Sequence, residues 1–159
     1  MSNFVESALH SLKQSGFRLT EQRRAVLEVL ANARIPLTPT EVHQRIKGRG
    51  RSMDLVSVYR ILETFEQNGL VHHVLAGNTY KACSHYFDSG DKRHSHDHDR
   101  AHEGHHCHHL AICTQCGKSY EFACPELAAI ASQVSQQSGI QISKHILELQ
   151  GTCKTCQPG

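Results

Sequence analysis

Residues 54–83 read DLVSVYRILETFEQNGLVHHVLAGNTYKAC, a stretch whose hydrophobic period changes from that of a helix to that of a hairpin. Apolar residues first recur at three- and four-residue intervals, and Asn68-Gly69 ends that pattern. From Leu70 onward the pattern is that of two short strands joined at Ala76-Gly77-Asn78, a hairpin turn signal. The stretch therefore predicts a helix followed directly by a two-stranded hairpin.

Three further helices are predicted upstream of this stretch. The first covers residues 3–15 and stops at Gly16, and the second opens at Thr20, whose hydroxyl can cap it. The third starts at Thr38-Pro39-Thr40-Glu41, with the proline near its first turn. Helices followed by a hairpin within about 80 residues predict a winged helix-turn-helix domain.

In a winged helix the helix before the hairpin enters the DNA major groove. Opposite its apolar stripe we predict Ser57, Tyr59 and Arg60 as DNA contacts, because Tyr59 can touch thymine methyls and Arg60 can reach guanine or phosphate. Basic residues that can contact phosphates are Arg18, Arg23, Arg24, Lys47, Arg49 and Arg51. The alternative is that these are ordinary surface residues of an ordinary helix.

The composition changes completely after the hairpin. Residues 84–109 hold nine of the 14 histidines and almost no aliphatic residues, a composition that cannot bury a core. We expect three segments: a winged-helix domain over 1–83, a His-rich flexible insert over 84–104, and a metal-binding domain over 105–159. The fold class predicted for the whole chain is α+β.

The last segment predicts a small α/β module. HLAIC (109–113) and KSYEFAC (118–124) are strand-like, Pro125 opens a helix, and ISKHILELQ (142–150) is expected to form a closing strand. A module of about 50 residues is only marginally stable unless a cross-link, such as a bound metal ion, adds stability.

Two Cys-x-x-Cys pairs are predicted to supply that cross-link. Cys113 and Cys116 are separated by 36 residues from the second pair, Cys153 and Cys156. Two residues between cysteines let both thiolates point at one ion, and two such turns complete a tetrahedral zinc site. The site is closed to water, which argues against catalysis, and the alternative is a redox dithiol.

The overall composition limits which partners and which cellular compartment are expected. The chain has 159 residues and a net charge of only +2, so any DNA-binding surface must be a local basic face. We find no apolar run long enough for a membrane span and no signal-peptide core, which predicts a cytoplasmic protein without membrane partners. In that reducing compartment paired cysteines indicate metal binding rather than disulfides.

Further metal-ligand types remain outside the four cysteines. They are His72, His73, Cys83, the 105–109 cluster, Glu121 and Cys124. A hairpin can bring His72 and Cys83 together, and a zinc ion shared with the C-terminal ligands would clamp the two domains. Taken singly, a histidine or glutamate on a strand is more often a solvated side chain.

Several segments resemble the ferric uptake regulator (Fur) family. They are FRLTEQRRAVLEVL (17–30), VSVYRILETFEQNGLVHHV (56–74), HLAICTQCGKSYEF (109–122) and GTCKTC (151–156). The run LVHHVLAGNTYKACSHYFD (70–88) looks most like the zinc uptake regulator (Zur) branch. The resemblance covers nearly the whole chain apart from the histidine-rich insert.

The resemblance implies a second, regulatory zinc site. Its ligands would be His72, Cys83, His106 and Glu121, with His108 or Cys107 as possible substitutes for His106. The resemblance further implies a homodimer that binds palindromic double-stranded operators of zinc-uptake genes, with two Zn²⁺ per chain, one structural and one regulatory.

Rival functions remain open at this point. Within the family they are iron, manganese, nickel or peroxide sensing, although Lys81 and Pro36 stand where the resemblance to the iron-sensing branch would require a ligand acid and a histidine. A different class is a His-rich zinc buffer or metallochaperone, which leaves the winged helix unexplained. A zinc hydrolase would need an open metal position, so no enzymatic activity is expected.

Overall fold

The computed structural model describes residues 3–84, 108–143 and 145–157. The chain divides into two compact units, Met1–Ala101 and His102–Gly159, called here the first and second units. Across the described ranges, no helix combines the length and the apolar character that a membrane crossing demands.

The first unit contains four helices followed by a two-stranded antiparallel hairpin. The helices are α1 (Asn3–Gln14), α2 (Glu21–Ala31), α3 (Pro39–Gly48) and α4 (Leu55–Gln67), and the strands are β1 (Val71–Val74) and β2 (Thr79–Ala82). A short 3₁₀ turn, Leu75–Gly77, connects the strands, and Asn78 then adopts a left-handed conformation with φ 46°. This is the predicted winged helix-turn-helix order.

Local capping explains where three of these helices begin. The Thr20 hydroxyl accepts a hydrogen bond from the Arg23 N–H at 3.3 Å, as predicted from the sequence. Thr38 and Glu41 form a reciprocal capping box at the start of α3, and the Asp54 carboxylate accepts the Ser57 N–H at 2.8 Å at the start of α4. Each helix start is therefore fixed by residues within its own first turn.

One hydrophobic core joins all the elements of the first unit. Side chains from every helix and both strands contribute, including the fully buried Phe4, Leu27, Leu62 and Phe65. The segment before α3 is attached to the hairpin, because Leu37 and Tyr80 exchange two backbone hydrogen bonds of 2.9 and 2.7 Å. The hairpin therefore packs against the helices and is hydrogen-bonded to the segment that precedes α3.

The second unit is a three-stranded sheet with one helix. Its elements are β3 (His108–Cys113), β4 (Ser119–Ala123), α5 (Pro125–Ser138) and β5 (Glu148–Gly151). The strand order is β4-β3-β5, with β4 antiparallel and β5 parallel to β3. The closing strand is shorter than the predicted 142–150, because pairing with β3 begins only where Leu110 meets Glu148.

Candidate metal centres and DNA-binding face

The four cysteines of the two Cys-x-x-Cys pairs converge in the second unit. Cys113 ends β3 and lies opposite Gly151 of β5, so the parallel pairing carries the C-terminal pair to the first pair. Sulfur atoms of all four cysteines lie within 4.8 Å of one another. The turn after Cys113 is closed by the Gly117 N–H, which donates to the Cys113 carbonyl at 2.9 Å, and Gly117 takes φ 71°.

The charges around these sulfurs suit a cation. The backbone N–H groups of Cys153 and Cys116 lower the pKa of the Cys113 thiol to about 6, and the Cys153 N–H lies 3.4 Å from that sulfur. The pKa of Cys156 is instead raised to about 12, mainly by its hydrogen bond to Cys153 and to a smaller extent by its hydrogen bond to Cys116. The Cys113 thiol therefore loses its proton readily, whereas loss of the proton from Cys156 is opposed by the neighbouring sulfurs. A divalent cation among the four sulfurs would offset their accumulated negative charge.

The distances agree with zinc. A tetrahedral ion with Zn–S bonds of about 2.3 Å places its sulfurs about 3.8 Å apart. The Cys116 and Cys153 sulfurs are 3.8 Å apart. Four sulfur ligands with backbone N–H groups beside them therefore fit a structural zinc ion.

A second pair of ligand types lies within the first unit. His72 is paired with Lys81 in the hairpin. Cys83 follows Lys81 by two residues, and because side chains alternate between faces along a strand, His72 and Cys83 share one face. Their ligand atoms lie within 4.8 Å of each other. Cys83 is buried, and its N–H donates to the Leu70 carbonyl at 3.0 Å. A thiol and an imidazole are thereby placed together at the end of the hairpin.

The neighbouring histidine has a different environment. His73 points to the opposite face, stacks on Tyr80 with ring centroids 4.6 Å apart, and places Nε2 2.9 Å from the Asn78 side-chain oxygen. Its Nδ1 lies 3.5 Å from the Glu66 carboxylate. Of the two adjacent histidines, only His72 is thus grouped with Cys83.

The remaining regulatory-site candidates belong to the second unit. Glu121 is a half-buried residue of β4 and lies opposite Leu110 of β3. His106 and its possible substitute Cys107 lie outside the described residues. Cys124 is the residue before α5 and does not cap the helix with its side chain; its thiol donates to the Glu126 carboxylate at 3.5 Å.

The predicted DNA contacts lie on α4. Tyr59 and Arg60 are exposed on the face opposite the core. The Ser57 hydroxyl donates to the Asp54 carboxylate at 2.6 Å and so takes part in the cap of the helix. Two of the arginines predicted to reach phosphates form ion pairs, Arg24 with Glu6 at 2.8 Å and Arg51 with Glu28 at 3.0 Å.

Sequence reasoning missed His43. Its Nε2 lies 2.8 Å from the Met53 carbonyl oxygen, which joins α3 to the residue before the Asp54 cap. The contact steadies the turn of the helix-turn-helix. The sequence carried only a weak signal for it, a lone histidine beside the apolar positions of α3.

Comparison with known proteins identifies relatives along most of the chain. The model of the ferric uptake regulator family matches residues 14–150. The peroxide operon regulator of Bacillus subtilis (strain 168) is 32% identical over 152 residues, which are 96% of this chain and 92% of that protein.

Solved structures share the fold. A zinc uptake regulator complexed with zinc and DNA superposes with a TM-score of 0.77 at 22% identity, covering 96% of this chain and 91% of that one. Holo XcZur gives a TM-score of 0.74 at 24% identity, with 96% of both chains covered. At these identities the likeness establishes the fold alone.

Proposed function

This chain belongs to the ferric uptake regulator family, and from that premise we propose that it is a cytoplasmic, zinc-responsive repressor of zinc-uptake genes that uses Zn²⁺ as corepressor. Members of the family are transcription regulators rather than enzymes, and they bind DNA operators as dimers. The winged helix-turn-helix of the first unit supplies the DNA-binding domain.

The pairing of His72 with Cys83 is the observation that carries the zinc assignment. A thiolate is a soft ligand that favours zinc over Fe²⁺ or Mn²⁺, which prefer oxygen-rich sites. We assign the regulatory site to these two residues together with His106 and Glu121. One thiolate and one carboxylate would neutralise Zn²⁺, so the filled site would carry little net charge.

Filling this site would raise the affinity for DNA. Allosteric couplings of about 1–3 kcal/mol change an affinity by about 5- to 150-fold. An efficient genetic switch needs the upper part of that range or more. In this scheme the four-cysteine site holds a second, structural zinc, which makes two per chain.

The exposed apolar surface of the second unit supports a role for this unit as the dimerisation domain. No side chain of α5 is buried, and Ile130 and Val134 are exposed one turn apart on it. A partner copy would bury this apolar surface. The proposed division remains a winged-helix domain over 1–83, a flexible insert over 84–104 and a dimerisation and metal-binding domain over 105–159; most of the insert lies outside the described residues.

Peroxide sensing is the second candidate, because the regulator of Bacillus subtilis named above is 32% identical to this chain. Against it stand Lys81 and Pro36, which occupy positions where the resemblance to the iron-sensing branch calls for an acid and a histidine. Lysine carries no free lone pair at neutral pH, and proline has no ligand atom in its side chain.

The test combines zinc stoichiometry with DNA affinity across buffered free zinc. The wild type should bind two zinc ions per chain, and Cys83→Ser should lose the weaker ion together with zinc-dependent DNA binding. Cys124→Ser is the matched control, because Cys124 belongs to neither ligand cluster, and it should behave as wild type. DNA binding that needs Fe²⁺ and is abolished by peroxide would instead establish the second candidate.

A further inference from the structure

Helix α4 exposes one aliphatic side chain. The apolar residues Val58, Ile61, Leu62 and Phe65 of this helix are buried, whereas Val56 is 60% exposed. A single exposed valine needs no explanation in itself, because much of any protein surface is apolar. The position of Val56 on the helix is what gives it meaning.

Val56 shares a stripe with the predicted DNA contacts. Tyr59 and Arg60 follow it by three and four residues, so the three side chains lie on one face of the helix. Val56 is also the second residue of α4. In a helix-turn-helix the N-terminal residues of the recognition helix approach the base edges most closely. The valine therefore occupies a place where contact with a base is expected.

The polar residues around Val56 favour DNA as the occupant of this face. Ser57 is held by Asp54 at the cap, and the exposed stripe consists of Val56, Tyr59, Arg60 and, one turn further along, Glu63. The turn leading into α4 carries exposed Arg49, and guanidinium groups contact phosphates. An apolar side chain that shares a helix face with the guanidinium of Arg60 suits a base edge that lies next to a phosphate.

The chemistry of the base edges selects one partner. In the major groove, thymine presents a 5-methyl group, which is the apolar feature that small aliphatic side chains contact. We propose that Val56 determines specificity by packing its methyl groups against the 5-methyl group of one thymine in each operator half-site. This assignment rests on the proposed function as a DNA-binding regulator.

The experiment removes the methyl group from either side of the contact. An operator is first selected from random duplex DNA with the zinc-loaded full-length protein. Each thymine is then replaced singly by deoxyuridine, which keeps the hydrogen-bonding edge but lacks the methyl group, and affinities are measured by fluorescence anisotropy. The wild type should lose about three- to tenfold in affinity at one thymine per half-site.

Val56→Ala should bind the unmodified operator more weakly and be insensitive to the same replacement. Tyr59→Phe is the matched control, because it leaves Val56 intact and should retain the sensitivity. Circular dichroism should show an unchanged fold for Val56→Ala, since the side chain is exposed.

Two failures are distinguishable. If the wild type selects an operator but no thymine loses its deoxyuridine effect in Val56→Ala, the assignment of Val56 is overturned and the proposed function stands. If the wild type selects no operator with any metal, both the proposed function and this assignment are overturned.

Discussion

The two units are stabilised in different ways. In the first, side chains from four helices and a hairpin meet in one buried core. In the second, the described residues that are buried are His109, Leu110 and Cys113, all on β3. Large apolar residues of the second unit are instead exposed: Tyr120, Ile130, Val134, Ile140, Ile146 and Leu149.

This difference shows what each unit needs in order to fold. Burial of apolar surface contributes about 25 cal/mol per Å², so the hydrophobic core of the first unit can stabilise that unit without a metal ion or a partner. The second unit has little such burial and instead brings four cysteines together at the end of its sheet. A bound metal and a partner copy are the two sources of stability that its surface indicates.

The largest expected effect comes from removing a thiolate of the second unit. Cys113→Ser should unfold the second unit and abolish the dimer, because structural zinc sites contribute an apparent ~10–16 kcal/mol to the folding of small domains. The first unit should keep its cooperative thermal unfolding. Circular dichroism and analytical ultracentrifugation would measure both effects.

Cys124→Ser serves as the control for that substitution, since Cys124 is not part of the four-cysteine cluster. A Cys113→Ser protein that remains folded and dimeric would show that the second unit does not depend on zinc, and the contrast between the units would disappear.

A smaller effect is expected from two valines of α4 that differ mainly in burial. Val58 is fully buried and Val56 is 60% exposed. Val58→Ala should lower the free energy of unfolding of the first unit by about 2 kcal/mol, because it removes buried methyl groups and leaves a cavity. Val56→Ala should change it by less than about 0.5 kcal/mol.

Chemical denaturation of both variants would measure these differences, and zinc content would report on the second unit. Equal losses of stability in the two variants would contradict a core-dependent first unit. A loss of zinc in Val58→Ala would show that the stabilities of the two units are linked.

A smaller loss of stability than that of Val58→Ala is expected from the capping box of α3. Thr38→Ala should cost about 1 kcal/mol, because the hydroxyl satisfies the Glu41 N–H at 3.2 Å. Hydrogen bonds from the Thr38 N–H and hydroxyl lower the pKa of Glu41 below its ordinary value of 4.5. The stabilisation by the ionised carboxylate is therefore present above about pH 4.5 and is lost as the pH falls through the lowered pKa.

Glu41→Gln isolates that contribution. The difference in unfolding free energy between wild type and this variant should be greatest near pH 7 and shrink below pH 4.5, as measured by urea unfolding across pH. A constant difference would mean that the charge of Glu41 does not contribute.

The sequence predicted most of the fold because its signals are local. Thr20 caps a helix through a residue three positions away, and Asn68-Gly69 ends α4, as the pattern indicated. The closing strand was predicted too long. The apolar pattern of residues 142–150 suits a strand, but strand length depends on pairing with β3, which begins at Glu148.

The candidate sites were predictable in part. The spacing within each Cys-x-x-Cys pair indicated a metal ligand pair, and the parallel pairing of β3 with β5 brings the two pairs together in one cluster. The residues alone offered both His72 and His73 as ligand types, and the resemblance to the zinc uptake regulator branch favoured His72. Only the hairpin register shows that His72 shares a face with Cys83, while His73 stacks on Tyr80.

The sequence by itself therefore determined the helices, their caps, the hairpin and the paired cysteines, since each depends on side chains within a few residues of one another. The tertiary structure decided which ligand types meet and which charges are already paired. Arg24 reaches Glu6 and Arg51 reaches Glu28 across 18 and 23 residues of chain, and such distances close only when the helices pack. Packing brings together residues that the order of the sequence keeps apart.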